Sequence, residues 1–273
     1  MALQEVIGFD NQGLLIGDCA QRALVHSLLL LGIPISQSKV HHNTGVTKLN
    51  ASINGTSEKA IINGIKRCKC IPYRYPVNSS RDARTMINRF LDGGMPVIIY
   101  LEDEHWIVLA GKKSRDEYYW IDSADSELYG YETWSEISYW MEEEGTYLLI
   151  GVRPEDHNQL KHSVVKSFEN VYDLFDDDDL AESWGVYLED LSEMFNSPIE
   201  QESIISPDKF FSDYSQKIVD AVVYYHGNTD KSWLKSEMSN YLKVARSHNL
   251  SLSVDKELDA VIKLTASISL IAQ

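Results

Sequence analysis

The sequence predicts an α+β fold in two parts: a buried N-terminal helix packed on an antiparallel sheet, followed by an all-helical half. Three observations carry this reading. Residues 20–31 are apolar nearly all round at helical spacing, as in a helix enclosed by a core. Residues 96–122 hold three β-rich runs separated by short polar turns, the pattern of an antiparallel meander. Beyond Pro154 the strand signal fades and helical periodicity replaces it.

The first helix opens at Asp18-Cys19. Leu24, Leu28 and Leu31 form its stripe, Ala20 and Ala23 extend it, and Gly32 with Pro34 stops it. Residues 33–58 are rich in Ser, Asn, Thr and Gly and read as a polar connection, with Asn54-Gly55 as a turn. Thr56 or Ser57 caps a helix from Glu58 to Arg67, whose stripe is Ile61, Ile62 and Ile65. Cys70–Tyr75 reads as a short strand. Ser79-Ser80 lead into a helix from Asp82 to Leu91, stopped by Gly93-Gly94. The meander comprises Pro96–Leu101, Trp106–Gly111 and Glu117–Asp122. A short helix enters through Thr133 and Glu136, spaced as a capping box, and runs to Met141. Thr146–Val152 adds a last strand. Helical spacing then recurs near 158–175, 179–195, 208–226, 230–248 and 255–271. The expected domains are therefore 1–153 and 154–273.

The 273 residues carry 25 Lys+Arg against 41 Asp+Glu, a net charge of −16. That balance argues against nucleic acid and anionic membrane surfaces as partners. Residues 1–150 contribute −5 and residues 151–273 contribute −11. Charge alone makes a basic protein the expected partner of the acidic helical domain, one that added salt would displace. The three cysteines, Cys19, Cys68 and Cys70, form no disulfide framework, so a cytoplasmic location is expected. The first residues lack a basic n-region and an apolar h-region, so no secretory signal is expected. No apolar run approaches the roughly 20 residues a spanning helix needs.

Cys19 stands in the first turn of a buried helix. Unpaired backbone N–H groups and the positive end of the macrodipole favour a thiolate there. A lone cysteine on an apolar helix is more often an inert core residue. A nucleophile also requires a base, an orienter and an oxyanion donor. His105 directly precedes the second strand of the meander, and Asp122 ends the third. If these strands form a hairpin, imidazole and carboxylate become neighbours across the ladder. Asp125 is the alternative orienter. His26 is seven residues beyond Cys19, about 10 Å along the helix axis and out of reach. His41 and His42 are weaker alternatives in the polar connection. His157, His162, His226 and His248 belong to the helical half.

The order of Gln12, Asp18-Cys19, Gly55-Thr56-Ser57, Gly94–Ile99, His105–Gly111 and Tyr119–Asp122 resembles the papain-like cysteine peptidases. Among these it is most similar to the bacteriocin-processing peptidases and their stand-alone relatives. The resemblance covers residues 8–150. It implies a papain-like domain in which Cys19 attacks a carbonyl carbon, His105 carries the proton and Asp122 orients the ring. It also implies that Gln12, with the backbone N–H of Cys19, forms the oxyanion hole. The chain departs from the family pattern at Ala20, where Gly is common, at Ser123, where Pro is common, and at Glu104, where a small residue is common.

The expected activity is cleavage of a peptide or isopeptide bond through a thioester. Amide transfer or deamidation by the same three residues, and an inactive binding or immunity module, are the alternatives. No cofactor or metal is implied. Cys68 and Cys70 lack a second ligand pair, and Asp176–Asp179 lacks the alternating ligands of a calcium loop.

Overall fold

Helix α1, Cys19–Leu30, buries every residue except Arg22. Its apolar circumference leaves no face for water, so the chain must wrap it. In the computed structural model the described residues are 17–169, apart from 34, 36, 103, 126–127, 142–144, 158–159 and 161–162. Isolated positions at 172, 216, 231–232, 235–236, 239 and 243 are also described. Residues 17–31 and 35–169 fall in one compact unit. The helical reading of the chain beyond 172 lies almost wholly outside the described residues.

Among the described residues four helices come first: α1, α2 (Gln37–Thr44), α3 (Lys48–Asn54) and α4 (Glu58–Arg67). Strand β1 (Cys70–Val77) and helix α5 (Ser80–Asp92) follow. The meander is β2 (Val97–Leu101), β3 (His105–Lys112) and β4 (Glu117–Ile121), extended by β5 (Tyr129–Thr133). Helix α6 (Trp134–Met141) and strand β6 (Tyr147–Pro154) complete the sheet. Its six strands are antiparallel in the order β1-β6-β2-β3-β4-β5. The mixed α+β class is as expected.

The capping residues act locally. Ser57 Oγ accepts the Ala60 N–H at 3.4 Å. Ser79 Oγ accepts the Asp82 N–H at 3.1 Å, and Thr133 Oγ1 accepts the Glu136 N–H at 3.4 Å. Thr56, the other candidate cap, turns inward instead: its hydroxyl meets the buried Gln21 amide of α1 at 2.8 Å.

Three elements were not expected. Helices α2 and α3 occupy the stretch read as a polar connection. Val40 and Ala51 are both fully buried there, so tertiary packing overrides a weak local propensity. Strand β5 pairs with β4 from Ile121↔Tyr129 to Glu117↔Thr133. Gly130 dilutes its strand signal, yet the glycine is required: a Cβ there would stand 2.5 Å from the Trp120 ring.

The core forms where α1 lies against β3 and β2. Trp106 through Gly111 of β3 are all buried, which explains a continuous apolar run in place of an alternating one. The chain past the expected boundary at 153 still packs on this sheet. The Val164 N–H donates to the Leu30 carbonyl at 2.9 Å, satisfying one of the orphan acceptors at the end of α1. Phe168 packs on Tyr119 with ring centroids 5.4 Å apart. Gly111 permits this approach, since a Cβ would meet the Val165 carbonyl oxygen at 2.8 Å.

Leu28 is fully buried within α1. Leu28→Ala is expected to cost about 2–5 kcal/mol, read as a lower urea midpoint with an unchanged slope.

Candidate active site

The packing of α1 on β3 decides which side chains meet. Cys19 begins α1 and His105 begins β3. The ladder pairs Val108 with Ile121 and Leu109 with Trp120. One further step sets Asp122 opposite Ile107, which makes His105 its diagonal neighbour on the same face. Accordingly His105 Nε2 lies 2.6 Å from Asp122 Oδ1. Nδ1 is then the ring nitrogen left for the thiol, and the Cys19 side chain hydrogen-bonds His105.

Each member is held by its own element. The Asp122 N–H donates to the Leu128 carbonyl at 2.8 Å. The Ala124 N–H donates to Asp122 Oδ1, also at 2.8 Å, so the oxygen facing the imidazole is pinned from two sides. Leu101 pairs with His105 across the β2–β3 hairpin. Glu104, immediately before His105, has φ +61°. A side chain in that region carries strain that a glycine would relieve.

Charge is arranged along the same line. Burial pulls the His105 pKa down. The hydrogen bonds to Asp122 and Cys19, together with their negative charges, outweigh burial and push it up to about 10. His105 is therefore an imidazolium at neutral pH, set between the Asp122 carboxyl and the Cys19 side chain. The first-turn N–H groups of α1 point toward the same sulfur end of the helix, and Asp18 makes no side-chain cap there.

Asp18 has a different task. It is buried, with Arg22 Nε at 3.4 Å from Oδ1 and His41 Nε2 at 3.8 Å from Oδ2. The Gln37 amide donates to Oδ2 as well. Burial pushes the Asp18 carboxyl up, but the nearby His41 ring and the Arg22 guanidinium, which also hydrogen-bonds it, outweigh burial and hold it below the usual carboxylate range. His41 Nδ1 in turn faces the Val46 carbonyl at 2.9 Å. This network ties α2 to the start of α1 and offsets a negative charge next to Cys19. Only the i,i+4 spacing of Asp18 and Arg22 was legible beforehand; Gln37 and His41 sat in a stretch with no helical signal.

Other expectations resolve as follows. His26 is buried within α1. Asp125 donates its N–H to the Asp122 carbonyl oxygen at 3.3 Å, whereas Asp122 supplies the carboxylate to His105. Gln12 lies outside the described residues. Cys68 and Cys70 are free thiols, 4% and 1% exposed. The Asn43 amide donates to Cys68 Sγ at 3.2 Å. Burial raises the pKa of both thiols. Among the described residues no cluster of His, Cys, Asp or Glu is arranged to hold a metal ion. Nor is any described helix long and apolar enough to cross a membrane.

Chemically, a sulfur at a helix N-terminus, an imidazolium and a fixed carboxylate can attack an electrophilic carbon and protonate a leaving group. No protein-family model matches the chain, and no curated protein matches it.

The contrast among the three thiols is directly measurable. Near neutral pH, iodoacetamide should alkylate Cys19 at least roughly tenfold faster than Cys68 or Cys70, as followed by mass spectrometry of the labelled peptides. Equal slow labelling of all three would count against an activated sulfur.

Proposed function

We propose that the chain is a cysteine hydrolase of papain-like fold that cleaves a peptide or isopeptide bond. The observation that carries this reading is the line Cys19–His105–Asp122, closed by the 2.6 Å contact between ring and carboxylate. The Cys19 sulfur attacks the carbonyl carbon. The His105 imidazolium then delivers its proton to the departing amine, and an acyl thioester remains on Cys19. Neutral His105 next removes a proton from water, whose oxygen attacks the thioester; the carboxylic acid departs and the thiolate–imidazolium pair is restored. Asp122 holds the ring in the tautomer and orientation that both transfers require. The Cys19 N–H, with Gln12 as the family resemblance implies, serves the tetrahedral oxyanion. Such a donor contributes on the order of 10²–10³ in turnover.

The domains are proposed as 1–153 for the chemistry and 154–273 for a helical accessory part that engages a basic protein. A cytoplasmic setting is part of the proposal, supported by a cysteine content that suggests no disulfide framework. Deamidation or amide transfer would use the same three residues with a different acceptor, and an inactive module would use none of them.

Comparing new protein N-termini in a proteome treated with the native protein and with Cys19→Ala tests the proposal. A set of termini found only with the native protein is expected; identical sets would leave the inactive module standing. The pH profile tests the assignment of the acid. Because the imidazolium persists to about pH 10, kcat/KM should fall as pH rises through that value. Asp122→Asn removes the charge that raises the pKa and leaves only a neutral amide oxygen to accept the ring N–H, so it should bring the alkaline limb down. A limb that stays in place would remove Asp122 from the assignment.

A further inference from the structure

The sheet bounds a cavity of about 450 Å³, a size that suits a small molecule. Leu101, Ile107, Trp120, Tyr139 and Trp140 give it apolar and aromatic walls, and Asp122 gives it a carboxylate. Neither Cys19 nor His105 lines it, so the cavity adjoins the orienting acid and not the sulfur or the ring.

Its walls are held by the fold. The ladder sets Trp120 opposite Gly130, where a Cβ would stand 2.5 Å from the indole ring, so the β5 backbone lies close against that ring. The Glu102 N–H donates to the Trp140 carbonyl at 2.8 Å and ties the end of α6 to the β2–β3 turn. Both tryptophans nevertheless stay half-buried. A ring that enters a preformed pocket of this kind gains aromatic contact without first having to order the walls.

Asp122 keeps one oxygen open. Oδ1 faces His105 Nε2 at 2.6 Å and the Ala124 N–H at 2.8 Å. Oδ2 makes no hydrogen bond to any described residue, and the side chain is 18% exposed. A neutral donor suits that oxygen best. A cation there would stand close to the His105 imidazolium. An anion would stand among Asp122, Glu102 and Asp125, which line the same cavity.

We infer that this cavity is a ligand site, separate from the place of bond cleavage, for a small neutral aromatic molecule that donates one O–H or N–H to Asp122 Oδ2, as a phenol or an indole does. A donor at Oδ2 draws negative charge from the carboxylate and weakens its hold on the imidazolium, so an occupant slows the reaction of Cys19. That consequence rests on the thiolate–imidazolium pair of the hydrolase reading; the binding itself does not.

Binding is read from the tryptophan side-chain N–H signals in proton–nitrogen correlation spectra of the full chain. Indole and N-methylindole are matched probes, the second without the donor, and Trp120→Phe and Trp140→Phe identify the two signals. Indole should shift both signals and bind at least roughly fivefold more tightly than N-methylindole. Asp122→Asn should remove most of that difference, because a neutral amide oxygen is the weaker acceptor. Tyr139 is 70% exposed, so Tyr139→Ala leaves the fold intact and should weaken both probes by roughly threefold. Equal binding of the two probes, shifts confined to other tryptophans, or indifference to Tyr139→Ala overturns the site. In a second measurement, iodoacetamide labels the native protein with and without saturating indole. Labelling of Cys19 should slow by roughly two- to fivefold while Cys68 and Cys70 are unchanged. Indole bound at the two tryptophans with Cys19 unaffected overturns the contact with Asp122. Cys19 labelling as slow as that of Cys68 and Cys70 without any probe overturns the hydrolase reading, while donor-dependent indole binding upholds the site.

Discussion

Helix α1 lies against β3 with its first residue at the strand end that carries His105, and the rest of the site depends on that apposition. The contact is apolar. Leu24, Leu28 and Leu30 are fully buried on the helix, and Val108 through Ala110 are fully buried on the strand. Area burial of this kind has no direction of its own. Direction comes from the polar groups at the ends. At the C-terminal end, the Val164 N–H meets the Leu30 carbonyl. At the N-terminal end, Gln21 bonds Thr56, and Asp18 is held by Arg22, Gln37 and His41. A slip of α1 along its axis would break both sets, so the position of Cys19 is set by the whole length of the helix.

Electrostatics then acts on a fixed geometry. The His105 ring lies between two groups that both prefer it charged, and their combined effect exceeds the cost of partial burial. The carboxylate accepts the Ala124 N–H, and the Asp122 backbone is tied to the Leu128 carbonyl, which together hold the acid against the ring. Asp18 carries a negative charge beside Cys19 in the chain, but Arg22 balances it locally. The helix N-terminus and the imidazolium are left as the groups that face the sulfur.

Local sequence determined the elements with strong periodicity or a clear cap. The apolar circumference of residues 20–31, the serines at 57 and 79, and the three β-rich runs each specify their structure through contacts a few residues apart. The pairing of His105 with Asp122 was only partly local: the turn makes β3 and β4 neighbours, but a register shift between Leu109 and Gly111 is what puts Asp122 on the face of His105. Tertiary structure decided what weak local signals left open. Helices α2 and α3 bury Val40 and Ala51 against distant residues, and β5 forms by pairing with β4, where Trp120 leaves room at residue 130 for a glycine alone. The meeting of Cys19 with His105 belongs to this second class. They are far apart in the chain, and no periodicity encodes their approach; it arises from burying two apolar surfaces against each other with their polar ends satisfied.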